Sequence, residues 1–374
     1  MKKIGIITHY YHSLNYGGTL QAYALCRVLN DMGYTAEQIC YDMTIPARMK
    51  SVSKRLTQAL RKKCYALRHA WTNIGWKKRK AAFLNFQNAI PHSKQVYDRL
   101  TIRDFSEDYD IFITGSDQVW NTDWYHPAFF LDFVPAGKPK IAYAASLGMT
   151  ELNDRQQKAF EHSLKDYTAI SVREQDSVDM ISMYAPCPVV HTADPSMLLT
   201  SQQWDQLCSA RVVQEPYIFS FLLGTGEAAR RLVREFANTN HIKVVSLPHF
   251  PQAYHKEDKN FADINLYDIS PAQFVSLIKH AEYIFTDSFH AAVFSGIYQK
   301  EYFVLDRPGK QKMHVRLQNL MSLHGSHSHY LYDIDKLNPE MIGSIEKINY
   351  ESSAENLNNW RTDSLTFLKK ALEA

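Results

Sequence analysis

Long apolar stretches are missing from this chain. None approaches the roughly eighteen apolar residues of a membrane-spanning helix, so no span is expected. The opening MKKIGIITHYY starts like a leader, but its apolar run is short. A loop rich in tyrosine and asparagine follows without a small-residue cleavage site, so the expectation is a cytoplasmic chain. Cysteines are few: Cys26, Cys40, Cys64, Cys187 and Cys208. They form no C-x-x-C pair and no Cys/His spacing of the zinc type, which argues against a disulfide framework and a structural zinc. His324, His327 and His329 cluster without carboxylates at ligand spacing, so no metal site is read there either. Neither G-x-G-x-x-G nor G-x-x-x-x-G-K-[ST] occurs, which leaves the dinucleotide fingerprint and the P-loop unsupported. Finally, Met43 to Tyr97 contains no acidic residue at all.

What is present describes a folded globule. The 374 residues are 45% apolar and 22% charged, and that length is more than one core usually supports. Lys3–Thr8 reads as a buried strand, Thr19–Gly33 as a helix on the four-residue recurrence of Leu20, Ala24, Val28 and Met32, and Thr35–Asp42 as a second strand. Strand, loop, helix, strand opens a parallel α/β unit. Strands at 109–114, 140–144 and 169–173 continue it. Cys208–Arg211 reads as a hinge, after which the alternation restarts. The expectation is α/β: two Rossmann-like, doubly wound domains facing a cleft. Residues 1–208 form the first, with a basic helical insertion at about 48–95. Residues 209–345 form the second, and 346–374 a closing helix that packs back on the first.

Ligands of such sheets bind beyond the carboxyl ends of the strands. The unusual residues fall there. Asn15, Gly17 and Gly18 precede a helix, where glycines bring backbone N–H groups close to an anion; an ordinary tight turn is the plainer reading. Asp117 follows the strand ending at Thr114 and can orient or deprotonate a hydroxyl, or merely cap a helix. Trp120 and Trp124 offer flat faces for a sugar ring, or core packing. Ser146 follows the next strand, on the same side. Arg173 presents a fork of donors suited to carboxylate or phosphate, the alternative being an ion pair with Glu174 or Asp176. Asp194 looks structural, fixing a turn. In Thr286-Asp287-Ser288-Phe289-His290, Asp287 or Ser288 caps a helix, and His290 in its first turn can give or take a proton.

Together, NYGGTLQAYAL, ITGSDQVWN, AYAASLG, SVRE, ADPS and FTDSFHAAVFS resemble the polysaccharide pyruvyl transferase family, as does HVRLQNLM with Arg316. The resemblance runs from about Lys3 to Leu323. It implies two Rossmann-like domains in the GT-B arrangement. It also implies transfer of pyruvate from phosphoenolpyruvate onto two hydroxyls of a saccharide as a ketal, in exopolysaccharide or cell-wall glycan synthesis. Phosphoenolpyruvate is then a co-substrate, no cofactor or metal is implied, and the acceptor is a saccharide, often lipid-linked. By resemblance Arg173 grips the donor anion and His290 is the acid–base residue. Asn15, Gly17, Gly18, Ser288 and Phe289 join the donor side, and Trp120, Ser146 and Asp287 the acceptor side. The sequence departs from the common S-D-R-L-H, in which an arginine stands where this chain has Ser288.

Two other functions fit the same architecture: a glycosyltransferase using a nucleotide sugar, and a catalytically silent saccharide-binding or assembly protein. The acid-free stretch keeps a helical spacing from Val52 to Trp71. It suggests basic amphipathic helices that either pack on the first domain or bring the protein to the anionic inner face of the membrane. Nucleic acid is not expected, because few aromatics accompany the basic residues and no binding module is recognised.

Overall fold

The computed structural model describes residues 1–44, 70–104, 109–121, 126–149, 151–249, 256–307 and 314–374. Thus Trp124 and the core of the basic stretch, 45–69, lie outside the described residues. Two parallel sheets organise the rest. The first joins β1 (Lys3–Ile7), β2 (Thr35–Asp42), β3 (His92–Asp98), β4 (Ile111–Thr114), β5 (Lys140–Ala145), β6 (Ala169–Val172) and β7 (Val189–His191), in the order β3-β2-β1-β4-β5-β6-β7. The second joins β8 (Tyr217–Phe221), β9 (Lys243–Ser246), β10 (Ile264–Asn265), β11 (Tyr283–Thr286), β12 (Glu301–Leu305) and β13 (Tyr330–Leu331), in the order β10-β9-β8-β11-β12-β13. Strands of this kind are covered on both faces, which is why IGII, IFIT and KIAYAA read as nearly unbroken apolar runs.

The helices are α1 (Tyr16–Asp31), α2 (Ala70–Ala89), α3 (Asp154–Ser163), α4 (Ser177–Ser182), α5 (Pro195–Leu198), α6 (Ser201–Asp205), α7 (Glu227–Asn240), α8 (Pro271–Lys279), α9 (Phe289–Ile297), α10 (His314–Leu323), α11 (Pro339–Gly343) and α12 (Tyr350–Glu373). The helical insertion expected to reach about residue 95 is shorter at its end, because His92–Asp98 pairs with β2 as an edge strand. Its apolar positions are sparse and its burial alternates weakly, so little in the sequence distinguishes it.

Both strand orders reverse at one point, between β1 and β4 in the first sheet and between β8 and β11 in the second. A crevice opens beyond the strand ends at such a reversal. The two crevices face each other across an apolar seam. Tyr16 at the start of α1 stacks on Phe274 of α8 at 4.5 Å, and its hydroxyl donates to the Ile269 carbonyl at 3.0 Å. Phe83 of α2 is fully buried 4.8 Å from Tyr16. Gln87 of α2 donates to the carbonyls of Tyr10 and Ser13, clamping the β1–α1 loop. The described part of the basic stretch therefore packs against the first sheet's domain, and its Lys78 reaches Asp268 of the second at 3.9 Å. Helix α12 runs back across the seam: Ser364 Oγ accepts from the Ala193 N–H, and Arg361 donates to the Met197 carbonyl.

Candidate active site

Asp194 is the buried hub of the site. One oxygen accepts from the Ser196 N–H at 3.0 Å, so it caps the short α5. The other lies 3.0 Å from Nη1 of Arg173, 3.2 Å from Ser116 Oγ and 3.5 Å from Nε2 of His290. Burial pushes its carboxyl up, but His290 and Arg173 beside it win, and the pKa falls well below the ordinary carboxylate range. A residue read from sequence as a turn-former thus also holds the arginine and the histidine in one place.

Arg173 follows β6 and is buried. Besides Asp194, its Nε approaches Glu174 at 3.4 Å and its Nη2 lies 3.9 Å from Asp117, too far for a hydrogen bond. The ion pair with Glu174 therefore exists, and it leaves Nη2 sealed from solvent with no hydrogen-bond partner. His191 lies 3.1 Å from the Arg173 carbonyl, supporting its backbone.

His290 sits in the first turn of α9, 8% exposed, and its Nε2 also has no hydrogen-bond partner. Neither Asp287 nor Ser288 caps this helix through its side chain; Ser288 occupies the cap position without such a bond. The imidazole instead packs on Gly17, where an added Cβ would lie 2.0 Å from Nδ1. A Cβ on Gly18 would meet the His9 carbonyl at 2.9 Å and Asp117 Oδ2 at 3.2 Å. The Gly18 N–H donates to Asn15, the cap of α1. These glycines let His290 and Asp117 approach α1 closely, and the Gly18 amide is not offered to an anion as the sequence suggested.

Gly17→Ala is accordingly an informative change. Alanine is a better helix former than glycine by roughly 1 kcal/mol, so the backbone gains while the imidazole is displaced. Turnover should fall about as far as on removing His290, and the melting temperature should drop as the buried ring is forced aside. Parental turnover by Gly17→Ala would show that His290 need not lie where it does.

Asp117 stands at φ 67°, a conformation aspartate tolerates, with Oδ1 accepting from the Gln118 N–H. Burial raises its pKa, but Arg173, His290, His9 and Arg316 outweigh that and keep it low. It is thus held as a carboxylate.

Arg316 on α10 was not among the site residues read from the sequence, although its segment stood out. Its Nε is buried without a hydrogen-bond partner, and its guanidinium lies 5.6 Å from the centre of the Phe289 ring. The Arg173 guanidinium lies 4.7 Å from the same ring. Burial and the nearby Arg173 charge push the Arg316 pKa down to about 10. Two cations beside one ring, each with a buried donor lacking a hydrogen-bond partner, suit an anion. Glu174 was missed too; it accepts from Ser146 at 2.6 Å, and its other oxygen has no hydrogen-bond partner.

Two acceptor-side expectations, Trp120 and Ser146, are corrected. Trp120 has no exposed face for a sugar: it is fully buried, stacked on Phe130 and edge-on to Phe160 and Tyr167. Ser146 is fully buried and spends its hydroxyl on Glu174. Asp287 has both oxygens engaged, by the N–H groups of Leu223 and Gly224 and by Arg307, so it ties loops together, and it lines a separate cavity of about 300 Å³ with Arg307. A cavity of about 320 Å³ lies between the domains, lined by Asn15, Gly17 and Ser288 among others. No group of three or more histidines, cysteines and carboxylates able to hold a metal occurs among the described residues.

Two facing sheets, each reversing strand order at the cleft, define the GT-B class, and solved structures agree. The UDP-GlcNAc 2-epimerase of Methanocaldococcus jannaschii superimposes with a TM-score of 0.57 at 11% identity, over 96% of this chain and 99% of that one. The Phytolacca americana UGT2, complexed with UDP-2fluoro-glucose and pterostilbene, gives 0.51 at 11% identity over 100% and 99%. At such identities the likeness concerns the fold. No curated protein matches the sequence. The model of the polysaccharide pyruvyl transferase family matches residues 15–307, and the chain belongs to that family.

Proposed function

We propose that this protein transfers the enolpyruvyl carbon skeleton of phosphoenolpyruvate to two hydroxyls of a saccharide, forming a pyruvate ketal and releasing phosphate. The observation that carries the reading is the pair of buried donors without hydrogen-bond partners, Nη2 of Arg173 and Nε of Arg316, beside a histidine whose Nε2 lies 3.5 Å from Asp194. Both guanidiniums lie close to one ring, Phe289, at 4.7 and 5.6 Å from its centre, and His290 directly follows it. A ligand with two anionic ends satisfies both guanidiniums and lies against the imidazole. Arg316 then supplies the second cation that the common S-D-R-L-H would place at position 288.

The chemistry balances as follows. A proton adds to the methylene carbon of phosphoenolpyruvate, which becomes the ketal methyl. The first sugar hydroxyl bonds to C2 and gives up its proton. The C2–O bond to phosphate breaks, the electron pair leaving with phosphate. The second hydroxyl bonds to C2 and loses its proton, so one hydroxyl proton replaces the one consumed and the other leaves with phosphate. His290 is the group that carries protons in this scheme. Asp117, held anionic, steadies the positive charge that develops at C2 and on the imidazole.

The solved neighbours bind nucleotide sugars, so calorimetric titration with phosphoenolpyruvate, inorganic phosphate and UDP-GlcNAc separates the readings. The expected result is binding of phosphoenolpyruvate and phosphate at a shared site, lost in Arg316→Gln. Binding of UDP-GlcNAc with no uptake of phosphoenolpyruvate would assign the cleft to nucleotide-sugar chemistry instead.

A further inference from the structure

The cavity of about 320 Å³ is bounded by Leu14, Asn15, Tyr16 and Gly17 from the β1–α1 loop, by Arg79 from α2, and by the loops after β8 and β9. Arg173, Asp117, Phe289 and Arg316 do not line it, whereas Gly17 and Ser288 do. Gly17 packs on the His290 ring and Ser288 lies two residues before it. His290 itself does not line the cavity, which comes within one residue of it on the Gly17 side, away from Arg173 and Arg316.

Its lining is mostly apolar, with leucines 14, 222, 223 and 247, Pro248, Phe221 and Phe274. Among its described lining residues there is no carboxylate. The basic side chains are Arg79, engaged with Tyr16, and His249, whose Nδ1 lies 2.9 Å from Asp258. Arg79 is 7% exposed and lies 5.4 Å from the Tyr16 ring, whose hydroxyl it draws toward ionisation against the effect of burial. An arginine side chain on an apolar wall meets little competing water, so a ligand oxyanion reaching it gains more than at an exposed site.

We infer that this cavity receives the acceptor and that Arg79 selects acceptors carrying an oxyanion, a uronate carboxylate or a sugar phosphate ester. The inference rests on the ketal-transfer reading, which makes a saccharide the second substrate. It assigns the basic insertion a specificity role: α2 brings a guanidinium to the acceptor while its Phe83 and Gln87 fix the helix to the first domain.

The test is calorimetry on the full chain with inorganic phosphate held saturating, so that the donor site is filled. Glucose, glucuronate and glucose 1-phosphate are titrated in turn. At least one anionic sugar should bind about ten-fold or more tightly than glucose, the effect of one charge-assisted hydrogen bond. Arg79→Gln should erase that preference and Arg79→Lys should keep part of it. Preference for glucuronate points to a uronate acceptor, and preference for glucose 1-phosphate to a phosphate ester. Absence of any preference up to millimolar concentration, or a preference that survives Arg79→Gln, overturns the assignment. Phosphoenolpyruvate is titrated separately into the parent protein. Uptake of phosphoenolpyruvate without anion preference fails Arg79 alone; anion preference without uptake fails the donor reading alone.

Discussion

Arg173→Lys should weaken phosphoenolpyruvate binding by about 10²-fold, roughly 3 kcal/mol, although the charge is retained. The native guanidinium does several things at once. Nη1 holds Asp194, Nε faces Glu174, the plane lies over Phe289, and Nη2 is left for a ligand. An ammonium has one nitrogen at the end of a flexible stem, so satisfying Asp194 takes it from the donor anion. Removing the charge altogether would leave Asp194 and Glu174 as buried acids beside His290, a change large enough to disturb folding. Lysine avoids that complication. Calorimetric affinity equal to the parent's would remove Arg173 from the donor site.

His290→Ala should act on a different quantity. Phosphate release from phosphoenolpyruvate, measured with a saturating saccharide acceptor, should fall by about 10²–10⁴-fold, the usual range for a lost acid–base group. Donor affinity should change little, because the two arginines remain. The ring is buried against Gly17 beside Asp194, so a modest fall in melting temperature is expected as well. A variant that turns over at the parent's rate would leave His290 as a packing residue and pass the proton-carrying role to Asp117.

The alternation of apolar runs and helical spacings made the two parallel sheets legible, and with them the GT-B arrangement. Parallel strands announce themselves because both faces are buried. Strands β3, β10 and β13 are short or sit at sheet edges, carry little apolar pattern, and went unread. The residues just past strand ends were legible for the same topological reason. Their roles were not. Trp120 looks alike in sequence whether it stacks on a sugar or on Phe130, and only burial decides. Asp287 is one carboxylate among many until Leu223, Gly224 and Arg307 close around it. Arg316 lies within the resembling segment HVRLQNLM, but nothing in that segment says it meets Phe289; what brings it there is the folding of the second sheet. The loss of arginine at position 288 was visible; the presence of another nearby was not.

The central claim is that Arg173 and Arg316 together hold phosphoenolpyruvate against His290. A crystal of the protein grown or soaked with phosphoenolpyruvate tests it most directly. The account predicts ligand oxygens within hydrogen-bond distance of Nη2 of Arg173 and of the Arg316 guanidinium, with the enol carbon nearest the His290 imidazole. Phosphoenolpyruvate bound elsewhere, with those donors still empty or turned toward protein groups, would contradict it.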